Sequence, residues 1–144
     1  MANPNILIIV ADQHRYDCVG YSRACPVSTP NIDRLASEGI WFTNAYTPIP
    51  VCCPARQAFI NGRRPETFGA LWNYGGALKI SALNPKEYSW VRELKDLCYR
   101  TAFIGKWAVN PEHGPDQYGF DEYVGMDSYM QWRKKRYPDI EYKG

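Results

Sequence analysis

Asn5-Ile6-Leu7-Ile8-Ile9-Val10-Ala11, closed by Asp12-Gln13, is the stretch on which the fold turns. It is rich in β-branched residues and does not alternate with polar ones, so it suits a strand covered on both faces, as in a parallel sheet flanked by helices. Downstream, a helix is expected over Pro30 to Glu38, with Thr29 as N-cap, Pro30 at the first helical position, Ile32, Leu35 and Ala36 on one face, and Gly39 as terminator. Ile40 to Tyr46 reads as another strand. After Thr47-Pro48-Ile49-Pro50, a short helix is expected to begin at Pro54 and stop near Gly62. Pro65 to Lys86, with Gly69, Gly75, Gly76 and Pro85, reads as a long, partly ordered loop. Ser89 is expected to cap a helix through Cys98, and Thr101 to Ile104 to form a short strand followed by Gly105-Lys106. Strands alternating with helices predict an α/β fold, a mainly parallel sheet with flanking helices. In such sheets ligands gather beyond the carboxyl ends of the strands, where Asp12 and Lys106 are expected.

The chain has 144 residues, 45% hydrophobic and 22% charged, which predicts one compact domain of ordinary globular composition. The longest apolar run, Ile6 to Ala11, is far shorter than the roughly twenty residues of a membrane span. No basic segment precedes an apolar stretch and cleavage site, so a cytoplasmic location is expected. Seventeen basic against 15 acidic residues leave a formal charge of +2, which argues against a dominant nucleic-acid or membrane field. The five cysteines, Cys18, Cys25, Cys52, Cys53 and Cys98, contain no CxxC pair, so neither a zinc knuckle nor a disulfide scaffold is expected.

Asp12, directly after a strand, is placed to bind a hard divalent cation through oxygen, and Gln13 can add a neutral carbonyl oxygen; a turn cap and an outer hydrogen-bonding residue are the plainer readings. Val51-Cys52-Cys53-Pro54-Ala55-Arg56-Gln57-Ala58-Phe59-Ile60-Asn61-Gly62-Arg63 is the most informative segment. A thiol just before a helix start faces unpaired backbone N–H groups and the positive end of the dipole, which favour an anion. Arg56, one turn in, adds a fixed charge with a two-pronged donor fork. Physics alone leaves two readings, an activated nucleophile facing an anionic group and a buried cysteine pair beside a surface arginine.

Cys52-x-Pro54-x-Arg56, followed by Gly62-Arg63, resembles the type I sulfatase signature of the alkaline phosphatase superfamily. Further family-like stretches stand in the expected order: Pro4 to Gln13, Thr29 to Leu35, Phe42 to Tyr46, Gly105-Lys106-Trp107 and Gly119-Phe120-Asp121-Glu122-Tyr123. The resemblance covers about residues 4 to 125, and it implies that residues 1–144 are the N-terminal portion of a sulfatase catalytic domain, with 126–144 a tail continuing into later sequence.

The resemblance implies a sulfuric ester hydrolase in which a formylglycine-generating enzyme oxidises Cys52 to formylglycine. One hydroxyl of its hydrated aldehyde attacks sulfur of a small-molecule or saccharide sulfate ester. The other lets the resulting hemiacetal collapse, expelling sulfate and restoring the aldehyde. Asp12, Gln13 and the modified Cys52 match ligands of a divalent metal, Ca²⁺ foremost, with Mn²⁺ or Mg²⁺ also compatible with oxygen donors. The resemblance further implies that Arg56 stabilises the formylglycine oxyanion, that Lys106 contacts sulfate oxygens, and that Asn73 matches an asparagine that helps bind the substrate anion. Taken alone, Lys106 reads as a solvated surface lysine and Asn73, beside Gly75-Gly76, equally as a turn residue.

Three positions depart from the common pattern. Gln13 stands for a second acid, Ala108 for a histidine after Gly105-Lys106-Trp107, and Asn61 for a threonine. Neither His14 nor His113 obviously replaces the histidine. Gln13 and Ala108 keep open a phosphonate monoester or phosphodiester hydrolase with the same nucleophile, and a non-catalytic binding domain is the reading from another class. Sulfatases of this kind are several hundred residues long, so the stretch alone is expected to hold metal weakly and lack efficient catalysis. The tail Tyr129-Met130-Gln131-Trp132-Arg133-Lys134-Lys135-Arg136-Tyr137 combines aromatic and basic residues in the manner of single-strand nucleic-acid binders, but a solvated face or severed interface suits the balanced charge better, with self-association as a consequence. No nucleic-acid or membrane partner is expected.

Overall fold

A computed structural model describes residues 3–74 and 82–140. They divide into two compact units, Met1–Tyr46 and Thr47–Gly144, where the length alone predicts one domain.

The first unit is organised around helix α1, Pro30–Glu38, whose bounds are those predicted. Thr29 is its N-cap residue, but the Thr29 hydroxyl is used elsewhere. It accepts the Gly20 N–H at 2.9 Å and donates to Asp33 Oδ1 at 2.6 Å, while Tyr21 N–H donates to the same oxygen at 2.8 Å. These bonds fasten the loop carrying the single 3₁₀ turns Tyr16–Cys18 and Gly20–Ser22 to α1. Gly20 permits the approach, because a Cβ there would lie 2.4 Å from Asp33 Oδ2.

The two strands expected in this unit do not form. Residues 5–11 form no strand, with Leu7 85% and Ile9 80% exposed, and residues 40–46 run through a turn at Thr43-Asn44. The reason is physical: β-branched apolar sequence favours a strand only where a neighbouring strand takes up its backbone groups and a layer covers its faces. Among the described residues neither run finds both.

The second unit contains α2 (Cys52–Asn61), α3 (Trp90–Asp96), β1 (Ala102–Gly105), β2 (Glu122–Gly125) and α4 (Met126–Arg136). β1 and β2 pair in parallel, Ala102 opposite Glu122 through Gly105 opposite Gly125, which agrees with the predicted parallel sheet. β2 is an element the sequence reading lacks.

Helix α2 starts two residues before the predicted Pro54, since proline is tolerated anywhere in a first turn whose N–H groups have no intrahelical partner. Gly62, in the left-handed region at φ 72°, ends it. Ser89 caps α3 as expected, its hydroxyl accepting the Val91 N–H, but the helix stops at Asp96 rather than Cys98, which lies at φ 63°. The 65–86 loop holds a 3₁₀ turn, Pro65–Phe68, and the Gly75-Gly76 pair lies outside the described residues. The basic tail is the last turn of α4, where cations oppose the helix dipole.

Ile60 of α2, Val91 of α3, Leu83, Val109, Trp107, Tyr118 and Phe120 form the core. Trp107 sits edge-on to Phe103 and Tyr118, with ring centroids 5.0 and 5.2 Å away, and donates its Nε1–H to His113 O at 2.8 Å. This locks the chain immediately after β1, and with it the backbone of Lys106. No helix among the described residues is long and apolar enough to cross a membrane.

Candidate active site

Helical periodicity sorts the residues of α2. Cys53, Pro54, Gln57, Ile60 and Asn61 are buried, the i, i+4, i+7, i+8 pattern of one face. Cys52, Ala55, Arg56 and Phe59 occupy the other and are partly or fully exposed. Of the two adjacent thiols, Cys53 therefore belongs to the core and Cys52 to the accessible face, with Arg56 one turn beyond it. Burial pushes the Cys53 thiol up, outweighing the hydrogen bond from the Tyr74 backbone and the weaker pull of Lys106 and Arg56, so Cys53 stays protonated at neutral pH.

Arg56 Nη1 donates to the main-chain carbonyl of Lys106 at 2.8 Å. The bond pins the guanidinium to the loop after β1 and brings α2 and the carboxyl end of a strand together. Asn73 Oδ1 accepts the Cys53 N–H at 2.9 Å, capping α2 from a distant loop where the N-cap residue, Val51, has no side chain able to do so. A backbone N–H can only donate, so the carbonyl end of Asn73 is fixed on the helix and its amide nitrogen is the donor end left for an anion. The sequence reading offers Asn73 as an anion ligand or a turn residue, and the cap is a role it lacks.

Gln57 and Tyr74 extend the framework. Gln57 Nε2 donates to the Tyr74 hydroxyl at 2.8 Å, and that hydroxyl donates to Val109 O. Burial, followed by the neighbouring Cys53, pushes the Tyr74 phenol up, so it remains a donor. Asn61 Nδ2 donates to Tyr88 O at 2.8 Å. Gln57 Oε1 and Asn61 Oδ1 are buried without a hydrogen-bond partner, a desolvation cost of about 1–3 kcal/mol each.

In the first unit Asp12 ends the apolar run, and Gln13 follows at φ 58°. For a side chain with a Cβ, that left-handed conformation costs about 1–2 kcal/mol, a strain that clusters at functional positions. Ala108, at φ 51°, carries the same strain two residues after Lys106. A carboxylate and a carboxamide are both oxygen donors, so the donor chemistry of the pair fits a hard divalent cation. His14 Nε2 pairs with Cys18 O at 2.9 Å, and His113 meets Trp107 through its backbone carbonyl.

Comparison with known proteins places these features in context. The family model described as Sulfatase matches residues 4–142. Steryl-sulfatase from Homo sapiens is 35% identical over 138 residues, covering 87% of this chain and 24% of that protein. Arylsulfatase A from Bos taurus is 36% identical over 130 residues, covering 85% and 25%. Among solved structures, that of Ps i-CgsB superposes with a TM-score of 0.78 at 33% identity, over 97% of this chain and 34% of that one. The chain thus spans about a quarter of the length of the curated relatives it matches.

Proposed function

This chain belongs to the sulfatase family, and on that premise we propose that its full-length protein hydrolyses sulfate esters with a formylglycine nucleophile made from Cys52. The observation that carries the reading is the face of α2 that presents Cys52 with Arg56 one turn on, while Cys53 is turned into the core. Once modified, residue 52 supplies an oxygen nucleophile whose second hydroxyl allows the covalent sulfate ester to collapse. Arg56, held by its bond to Lys106 O, stabilises negative charge at position 52. Lys106, on a backbone fixed by Trp107, neutralises sulfate oxygens as charge develops, and Asn73 presents its amide donor to the same anion. Asp12 and Gln13 would hold a divalent cation, Ca²⁺ by donor type, and such an ion would supply positive charge that favours the ionised form of an oxygen nucleophile. Efficient turnover belongs to the full-length protein, because residues 1–144 supply only part of a cation's usual oxygen shell.

The test is peptide mass spectrometry of the tryptic segment Leu35 to Arg56 after co-expression with a formylglycine-generating enzyme, followed by an aryl sulfate assay on the full-length protein. Conversion at Cys52 alone, with turnover abolished by Cys52→Ala, is expected. An intact Cys52 thiol together with absent Ca²⁺ and Mn²⁺ binding turns the reading toward a binding domain.

Gln13 in place of an acid and Ala108 in place of a histidine favour one second reading, a phosphonate monoester or phosphodiester hydrolase with the same nucleophile. A higher kcat/KM for an aryl phosphonate monoester than for the aryl sulfate would displace the sulfate reading.

A further inference from the structure

The loop fastened to α1 brings together a second set of donors that the proposed hydrolytic site does not use. Asp17 and Cys18 close the 3₁₀ turn Tyr16–Cys18, and the chain returns to them at Cys25. One carboxylate oxygen of Asp17 and the Sγ atoms of Cys18 and Cys25 all lie within 4.8 Å of one another, and all three residues are half-buried. We propose that Asp17, Cys18 and Cys25 form a binding site for a thiophilic divalent cation of the zinc type, separate in donor chemistry from the oxygen donors Asp12 and Gln13.

The geometry needs little adjustment. A tetrahedral ion with Zn–S bonds of about 2.3 Å and a Zn–O bond of about 2.0 Å sets the sulfurs about 3.8 Å apart and sulfur from oxygen about 3.5 Å, so a contraction of at most about 1.3 Å completes three corners and leaves the fourth to water. Two thiolates select zinc over calcium or magnesium, which prefer oxygen. The charges also balance. Two thiolates and a carboxylate carry three negative charges, the ion carries two positive, and Arg15, whose Nε donates to Asp17 Oδ1 at 2.9 Å and Nη2 to Asp17 Oδ2 at 2.5 Å, supplies the third. A carboxylate gripped by such a fork has its orientation fixed and keeps a second lone pair on each oxygen, one of which serves the metal.

The loop is also built in advance of any ion. Cys18 N–H donates to Arg15 O at 3.0 Å, the Ser22 hydroxyl to Val19 O at 2.7 Å, and Val27 N–H to Cys25 O at 2.8 Å. Together with the bonds of Gly20 and Tyr21 to Thr29 and Asp33, these hold both cysteines on a preformed frame, which lowers the ordering cost of ligation.

Cobalt is the probe, because thiolate ligation of Co²⁺ gives a near-ultraviolet charge-transfer band that oxygen ligation does not. The full-length protein, chelator-stripped and reduced, is titrated with Co²⁺. The expected result is a saturable band that Zn²⁺ displaces and Ca²⁺ does not, lost in Cys25→Ser and in Cys18→Ser and kept in the Cys52→Ser/Cys53→Ser double variant. Asp17→Asn should weaken Zn²⁺ binding about tenfold or more while both thiols still react with alkylating agents. Cys25→Ser lies in a loop outside any helix or strand, so an effect there is separable from misfolding by unchanged amide exchange at Gly20 and Tyr21. Absence of a band in the reduced protein, or a band that survives Cys25→Ser, overturns the site. So does a Cys18–Cys25 disulfide whose reduction yields no metal binding, which would make the pair a redox couple instead.

Discussion

Residues 3–46 and residues 47–140 put similarly apolar sequence to different use. In the first, the run from Ile6 to Val10 is 49–85% exposed, and Val19 is the only buried residue among those described. Order there comes from polar bonds, with Thr29 and Asp33 gathering the loop around α1. In the second, Trp107, Tyr118, Phe120 and Ile60 close a core, and the bonds of Arg56 and Asn73 sit on top of it. The contrast teaches that apolar content does not by itself make a core. It becomes one where covering surface lies within reach of the same chain.

The contrast is most directly broken by truncating one apolar side chain in each region of the 144-residue chain. Trp107→Ala should cost about 3–5 kcal/mol, read as a large fall in the urea midpoint, because it leaves a cavity between Phe103 and Tyr118. Leu7→Ala should stay within about 0.5 kcal/mol, as exposed substitutions do. Equal costs would mean that the first region is packed after all. Its polar ordering is tested by Asp33→Ala, which removes the acceptor for Tyr21 N–H and for the Thr29 hydroxyl. Amide exchange at Gly20 and Tyr21 should quicken about tenfold or more, in line with roughly 1.5–3 kcal/mol for bonds to a charged group, while exchange at Val91 is unchanged.

What the sequence made legible follows the same division between local and distant causes. The bounds of α1 are local, a proline opening the first turn and Gly39 closing the last, and they were readable residue for residue. Cys52 and Arg56 stand out in the sequence because Cys52-x-Pro54-x-Arg56 is a motif, and Lys106 because it follows a short strand in Gly105-Lys106-Trp107; the second unit brings Arg56 onto the Lys106 backbone. The cap that Asn73 gives Cys53 depends on a loop 20 residues away and leaves no local signal. β2 is four residues long and exists through its register with β1, so periodicity had nothing to detect. The runs at 5–11 and 40–46 err in the opposite direction, being strand-like by composition and unpaired among the described residues. Cys18 and Cys25 meet through the shape of a loop, and counting CxxC pairs passes over them.

A smaller effect sharpens the view of the second region as a core with polar fittings. Asn73→Ala removes the acceptor for the Cys53 N–H and should cost about 1 kcal/mol, the usual worth of a helix cap, read from the denaturant midpoint. Asn73→Asp keeps an acceptor beside the positive end of α2 and should restore most of that loss while removing the amide donor. If the cap and the anion contact are separate duties, Asn73→Asp restores stability and not turnover in the full-length protein.

The smallest effect lies where α3 meets the starts of β1 and β2. Asp121 pairs with Lys95 Nζ at 2.9 Å and accepts the Thr101 N–H at 2.8 Å and the Thr101 hydroxyl at 3.0 Å. Lys95 first, and then the Thr101 donors, lower its carboxyl from the ordinary 3.8 to about 2. Between those values the unfolded chain binds a proton that the folded chain does not, so stability rises with pH across the interval. The contribution is complete above about pH 4 and is lost as pH falls through about 2. Urea midpoints of the native chain and of Asp121→Asn, measured from pH 5 to pH 2, should therefore converge on acidification. The gap at pH 5 should narrow when salt is added, because the Lys95 pair lies at the surface and is screened, whereas the two Thr101 bonds remain. A gap insensitive to salt would assign the lowered carboxyl mainly to Thr101, making Asp121 a clasp between the two strand starts more than a partner of α3.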